Sequence, residues 1–133
     1  MTSSRCCSTR PLLDKAAADT AAVEELLDSE RVIDDVVGFH AQQACEKLLK
    51  AVLGAAHVRY RYTHDLAELI DLLTDAALPV PDHLHAVIAL TPFAVTYRYE
   101  DLPGEEDPLD RGETLRLVRS LRHLAEEVIS SEE

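Results

Sequence analysis

The residues of this chain best suited to chemistry are Gln43, Lys47, Lys50 and His64, with Tyr97 and Arg98 further along. The first four belong to one run, FHAQQACEKLLKAVLGAAHVRYRYTHDL, at 39–66. Between 47 and 64 stand Lys47, Lys50, Arg59, Arg61, His57 and His64, with no Asp or Glu. The whole chain carries a formal net charge of −12, so this is a basic island in an acidic background. Clustered cations of this kind attract an anion, and a phosphate group is the natural candidate.

Thr63-His64-Asp65-Leu66 reads as the start of a helix, with Thr63 as N-cap and His64 at the first helical position. A phosphate there would meet free backbone N–H groups, an imidazole and the guanidinium of Arg59 or Arg61. The plain alternative is a capped helix carrying a surface histidine. On the preceding helix, at about 100° per residue, Phe39, Gln43, Glu46 and Lys50 form one stripe with Lys47 beside it. That stripe lies opposite the apolar face and reads as solvated, with one weak Glu46–Lys50 pair at i, i+4. Tyr97-Arg98-Tyr99 places a guanidinium between two aromatics, suited to stacking on a base or holding a phosphate. Arg111, Arg116, Arg119, Arg122 and His123 make the last helix basic, with Arg116, Arg119 and His123 on one face. They read as facing the acids of a neighbouring helix or an acidic partner.

Other chemistries are poorly served. There is no Gly-rich phosphate loop and no elbow-type nucleophile motif. The six histidines are scattered, and His83 and His85 point to different sides of a helix, so no metal site and no cofactor are expected. Thirteen Lys/Arg against twenty-five Asp/Glu repel a nucleic-acid backbone on average, which argues against bulk DNA binding.

Positioning these residues falls to helices. The composition is rich in Ala, Leu, Val and Glu, with four Gly and no Trp, as in an all-α domain. Residues 1–10 read as a disordered N-terminal tail and 11–130 as one helical domain. Periodicity predicts helices over about 11–27, 32–56 and 63–77. A fourth opens at Asp82, is kinked or restarted at Pro92 with Thr91 as the new cap, and runs to about Tyr99. The fifth covers about 111–129, with Leu117, Leu121, Leu124 and Val128 inward. Gly38, inside the second helix, marks either a close helix contact or nothing. Cys6, Cys7 and Cys45 lack zinc spacing, with Cys45 on an apolar face, a usage that points to a reducing cytoplasm. No apolar stretch approaches the ~20 residues of a membrane span.

Three motifs in order, FHAQQACEKLLKAVL, THDL and TYRYEDLP, together resemble the HEPN domain (higher eukaryotes and prokaryotes nucleotide-binding). The resemblance covers almost the whole chain. It implies an up-and-down bundle of four to five helices that often forms a homodimer. It also implies nucleotide binding or metal-independent RNA cleavage, commonly beside a minimal nucleotidyltransferase and within toxin–antitoxin pairs. Ribonuclease members carry an Arg and, after four to six intervening residues, a His. The match to that arginine is Arg98, but Pro103, Gly104 and Glu105 stand where the histidine would fall. The expectation is therefore a non-catalytic module that binds a nucleotide or docks a nucleotidyltransferase, with Gln43, Lys47, Lys50, His64, Tyr97 and Arg98 as ligand-binding residues. The alternative is a ribonuclease toxin using Arg116/His123 or Arg59/His64, where imidazole would act as acid–base and Arg would stabilise the phosphorane.

Overall fold

A computed structural model describes residues 9–94 and 108–132. Among them every regular element is helical, with no strand. Helix α1 spans Thr9–Glu25, α2 Asp34–Ala55, α3 Leu66–Asp75 and α4 Arg111–Glu132. A 3-10 segment, Asp82–Ala94, lies between α3 and α4. Thus α1 takes in Thr9 and Arg10, two residues assigned to the tail from sequence. Residues 1–8, with Cys6 and Cys7, lie outside the described part, as do Tyr97, Arg98 and Tyr99.

Helix α2 is the hub. It packs against α1, α3, α4 and the 3-10 segment, which explains why burial extends well beyond one stripe. Val37, Ala41, Ala44, Cys45, Leu48, Leu49 and Leu53 are almost wholly enclosed. Burial pushes the Cys45 thiol up to about 12, so it is an inert core group rather than a nucleophile. The neighbours present matching faces. Ala16, Thr20 and Val23 of α1 are buried at helical spacing, as are Leu66, Leu69, Ile70 and Leu73 of α3. On α4 the deepest residues are Leu115, Val118, Leu121, Ala125 and Ile129, whereas Leu117, Leu124 and Val128 pack only at the margin. The apolar stripe of α4 is broad, and docking on α1 and α2 selects one half of it.

Two expectations about helix form are corrected. The fourth element is 3-10 over its described length, not α. Its buried residues, Leu84, Val87 and Leu90, recur every third position. Three residues per turn put all of them on one side, and an α-turn would rotate them apart. Helix α3 begins at Leu66 with Asp65 as its N-cap, not at Thr63. Asp65 Oδ1 accepts from the N–H groups of Ala67 and Glu68 at 3.0 and 3.4 Å. Thr63 Oγ1 instead accepts from Asp65 N at 3.0 Å, shaping the approach to the helix.

The helix ends need no glycine. His57 and Ala77 adopt φ of 61° and 66° just past α2 and α3. Val58 N then donates to Leu53 O, and Leu78 N to Leu73 O, both at 2.8 Å. His57 N donates to Gly54 O and Ala77 N to Thr74 O, completing the paired bonds of a Schellman close at each end. At the other end of α2, Gly38 is covered by the ring of Phe93, and a β-carbon there would overlap that ring. Gly38 therefore marks a close contact between α2 and the 3-10 segment.

Candidate functional site

The Schellman close at Val58 turns the chain after α2 back along that helix, and this return builds the site. Gln42 is wholly buried, and its Nε2 donates to His64 O and to Glu46 Oε1, both at 3.0 Å. His64 Nδ1 is 2.8 Å from the same Glu46 oxygen. Lys50 Nζ donates to Glu46 Oε2 at 2.8 Å. With Gln43 Nε2 reaching the same Oε1 at 3.5 Å, four side chains from two segments converge on one carboxylate.

This overturns the reading of the stripe as a solvated face. The side chains of Glu46 and Lys50 are only 8% and 10% exposed. A helical wheel places them opposite the core correctly, but cannot show that a loop lies over them. The ammonium of Lys50 sits 5.7 Å from the ring centroid of Tyr60 and 5.4 Å from that of Tyr62, within cation–π range. Glu46 is correspondingly perturbed. Burial alone would raise its pKa, yet the bonds from Lys50, His64 and Gln42 and the charge of Lys50 outweigh that and hold it below its ordinary value.

The helix-terminus phosphate site does not form as expected. His64 precedes the cap rather than following it, and Asp65 already occupies the N–H groups of α3. A carboxylate in that position satisfies the donors and repels a second anion.

Of the residues singled out by chemistry, Gln43, Lys47, Lys50 and His64 do come together. Gln43 Nε2 donates to Gln42 Oε1 at 2.7 Å, and Gln43 Oε1 accepts from Lys47 Nζ at 3.1 Å. Lys47 also reaches Asp19 of α1 at 2.7 Å, whose other oxygen meets His40 Nδ1 at 3.0 Å. The network therefore runs from α1 across α2 to the returning loop. Arg59 is exposed and has no bonded partner among the described residues, so it does not pair with His64. Arg61 is held by Glu68 of α3, with two bonds of 2.8 and 2.7 Å.

The basic residues of α4 divide. Arg111 is structural: it donates to Asp34 and to the carbonyls of Leu26, Ser29 and Val32, fastening the α1–α2 connection. Arg119 reaches Glu24 of α1 at 2.8 Å, as expected of a residue facing a neighbouring helix's acids. Arg116 pairs with Glu113, Arg122 with Glu126 and His123 with Glu127, all within α4. Arg116 and His123 nevertheless line one open groove of about 440 Å³, together with His83 and Ser120.

The sequence reading missed Tyr62. Its ring is 80% exposed, stands edge-on to His64 at 5.2 Å, and its hydroxyl lies 3.3 Å from His64 Nε2. The alternation Arg59-Tyr60-Arg61-Tyr62 was a usable signal, since basic and aromatic residues interleave in loops that hold nucleotides. Among the described residues no group of three or more His, Cys, Asp or Glu could hold a metal ion, and no helix is long and apolar enough to cross a membrane.

No curated protein and no solved structure matches the chain. The family model described as the HEPN domain matches residues 9–133, nearly the full length. With an all-helical bundle on the page and the QQACEK and THDL motifs meeting at Glu46, the chain belongs to the HEPN domain family, whose members bind nucleotides or cleave RNA.

Proposed function

We propose that the face built from Gln43, Lys47, Lys50, Tyr62 and His64 binds a nucleotide without cleaving it. The observation that supports this best is the exposed Tyr62 ring standing beside the Lys50 ammonium and the His64 imidazole. An aromatic plate open to solvent offers a base a stacking surface, and the nearby positive charge of Lys50 attracts its phosphates. Arg59, exposed on the same loop and without a bonded partner among the described residues, supplies a further positive charge. Tyr97 and Arg98, expected from the motif as further ligand-binding residues, lie outside the described residues. The accompanying partner reading is docking to a minimal nucleotidyltransferase, with self-association as a homodimer.

Titration calorimetry with nucleoside triphosphates tests the reading. Binding in the micromolar range, weakened about tenfold by Tyr62→Ala, is the expected result. No heat with any of the common nucleotides sinks it. Co-purification with a nucleotidyltransferase and sedimentation as a dimer test the partner reading separately.

A metal-independent ribonuclease is the second reading. It is favoured by the groove that Arg116, His123 and His83 line, because an arginine and two imidazoles facing one groove are the groups phosphodiester cleavage uses. Growth arrest on expression, relieved by His123→Ala, is its signature; harmless expression argues against it.

A further inference from the structure

The bonds around His64 leave one ring nitrogen with a defined task. Glu46 can only accept when ionised, and its carboxylate lies 2.8 Å from Nδ1, so Nδ1 carries a hydrogen and donates it. In the neutral imidazole Nε2 is then an acceptor. Its present donor is the hydroxyl of Tyr62, 3.3 Å away on a mostly exposed side chain. That bond is long, and the side chain that makes it is little constrained by packing.

An acceptor nitrogen disfavours a phosphate oxygen, which is itself an acceptor, and favours a hydroxyl. The Lys50 ammonium is bonded to Glu46 and 10% exposed, so it contributes charge nearby without reaching outward. The group that suits Nε2 in a nucleotide is therefore on the sugar.

We infer that the site recognises ribose: a sugar hydroxyl of the bound nucleotide donates to His64 Nε2, in the place now filled by the Tyr62 hydroxyl. Tyr62 gives up its hydroxyl contact and keeps its ring as the stacking surface. Glu46 is a positioning residue, acting through His64 by holding the tautomer. This inference rests on the nucleotide-binding reading and deepens it by naming the feature of the ligand that is read.

The test is titration calorimetry of the full chain at about pH 8. The probes are the four ribonucleoside triphosphates and their 2′,3′-dideoxy counterparts. Losing one hydrogen bond of ordinary strength should weaken binding about 3- to 10-fold. In His64→Phe, the ratio of ribonucleotide to dideoxynucleotide affinity should fall to about one. The 2′-deoxy and 3′-deoxy forms then assign which hydroxyl is read. Equal affinity for ribo and dideoxy forms overturns the inference and leaves nucleotide binding standing. A ribo preference that survives in His64→Phe also overturns it. Failure of every nucleotide to bind removes the underlying reading and the inference together.

Discussion

His64 Nδ1 lies 2.8 Å from Glu46 Oε1, although 18 residues separate them along the chain. That contact joins the QQACEK run to the THDL run and turns two motifs into one site. It also fixes the loop between them, since Gln42 bonds the His64 carbonyl from the same helix. The predictions below follow from this contact and from three others.

Glu46→Gln should destabilise the fold by about 2–3 kcal/mol, because Lys50 then stays enclosed without its counter-charge. The pH dependence has a definite sign. Glu46 has a pKa lowered below its ordinary 4.5 in the folded state, so its contribution is complete above that value. It is lost as pH falls from there through the folded value. Urea midpoints measured between about pH 6 and pH 3 should fall less steeply in Glu46→Gln than in the parent chain. Parallel curves would show that Glu46 is not the group responsible.

Arg111→Ala should cost about 3 kcal/mol, measured by denaturant unfolding. It removes the guanidinium that now serves Asp34 and the carbonyls of Leu26, Ser29 and Val32, leaving Asp34 with the Leu109 N–H and Leu26 O with the Ser29 N–H. Arg111→Lys should recover less than half of the loss. A single ammonium cannot reproduce the planar fork that reaches four acceptors in three directions.

Ala77→Gly should stabilise the chain by about 0.5–1 kcal/mol. The left-handed φ of 66° costs an alanine about 1–2 kcal/mol, and glycine avoids this while losing somewhat more entropy on folding. The melting temperature is the readout. A decrease would mean that the close of α3 does not need the left-handed residue.

Gly38→Ala should destabilise by about 1–3 kcal/mol despite the better helix propensity of alanine, because the added carbon meets the Phe93 ring. The same change in a Phe93→Ala background should be neutral or favourable. A double-mutant cycle over the pair therefore reads the contact directly, and additive effects would show that the two residues do not touch.

How far the sequence led can be judged residue by residue. Period-3.6 patterning located α1, α2 and α4, since an apolar face long enough for several turns leaves a clear imprint. The start of α3 was read two residues early because Thr63 and Asp65 both have the chemistry of a cap. Only the backbone course decides which of them faces the free N–H groups. The 3-10 segment was read as α-helix because Leu84, Val87 and Ile88 also suit an α-helical face; packing on α2 selected the three-residue spacing. The buried half of the α4 stripe was undecidable for the same reason.

The candidate site followed a similar division. That Lys50, Glu46 and Gln43 share one side of a helix is a matter of arithmetic, and the sequence alone determined it. It equally determined the all-helical class and the family, through motifs whose order is a property of the chain. What only tertiary structure decided is the environment of that side. The loop after α2 turns at His57 and returns over the stripe, excluding water from Glu46 and bringing His64 to it. Burial and hydrogen bonding then assign Lys50 an internal partner, close the α3 terminus to anions through Asp65, and leave Tyr62 as the exposed plate. Periodicity records which residues point together along one element. It carries no information about what another part of the chain lays across them.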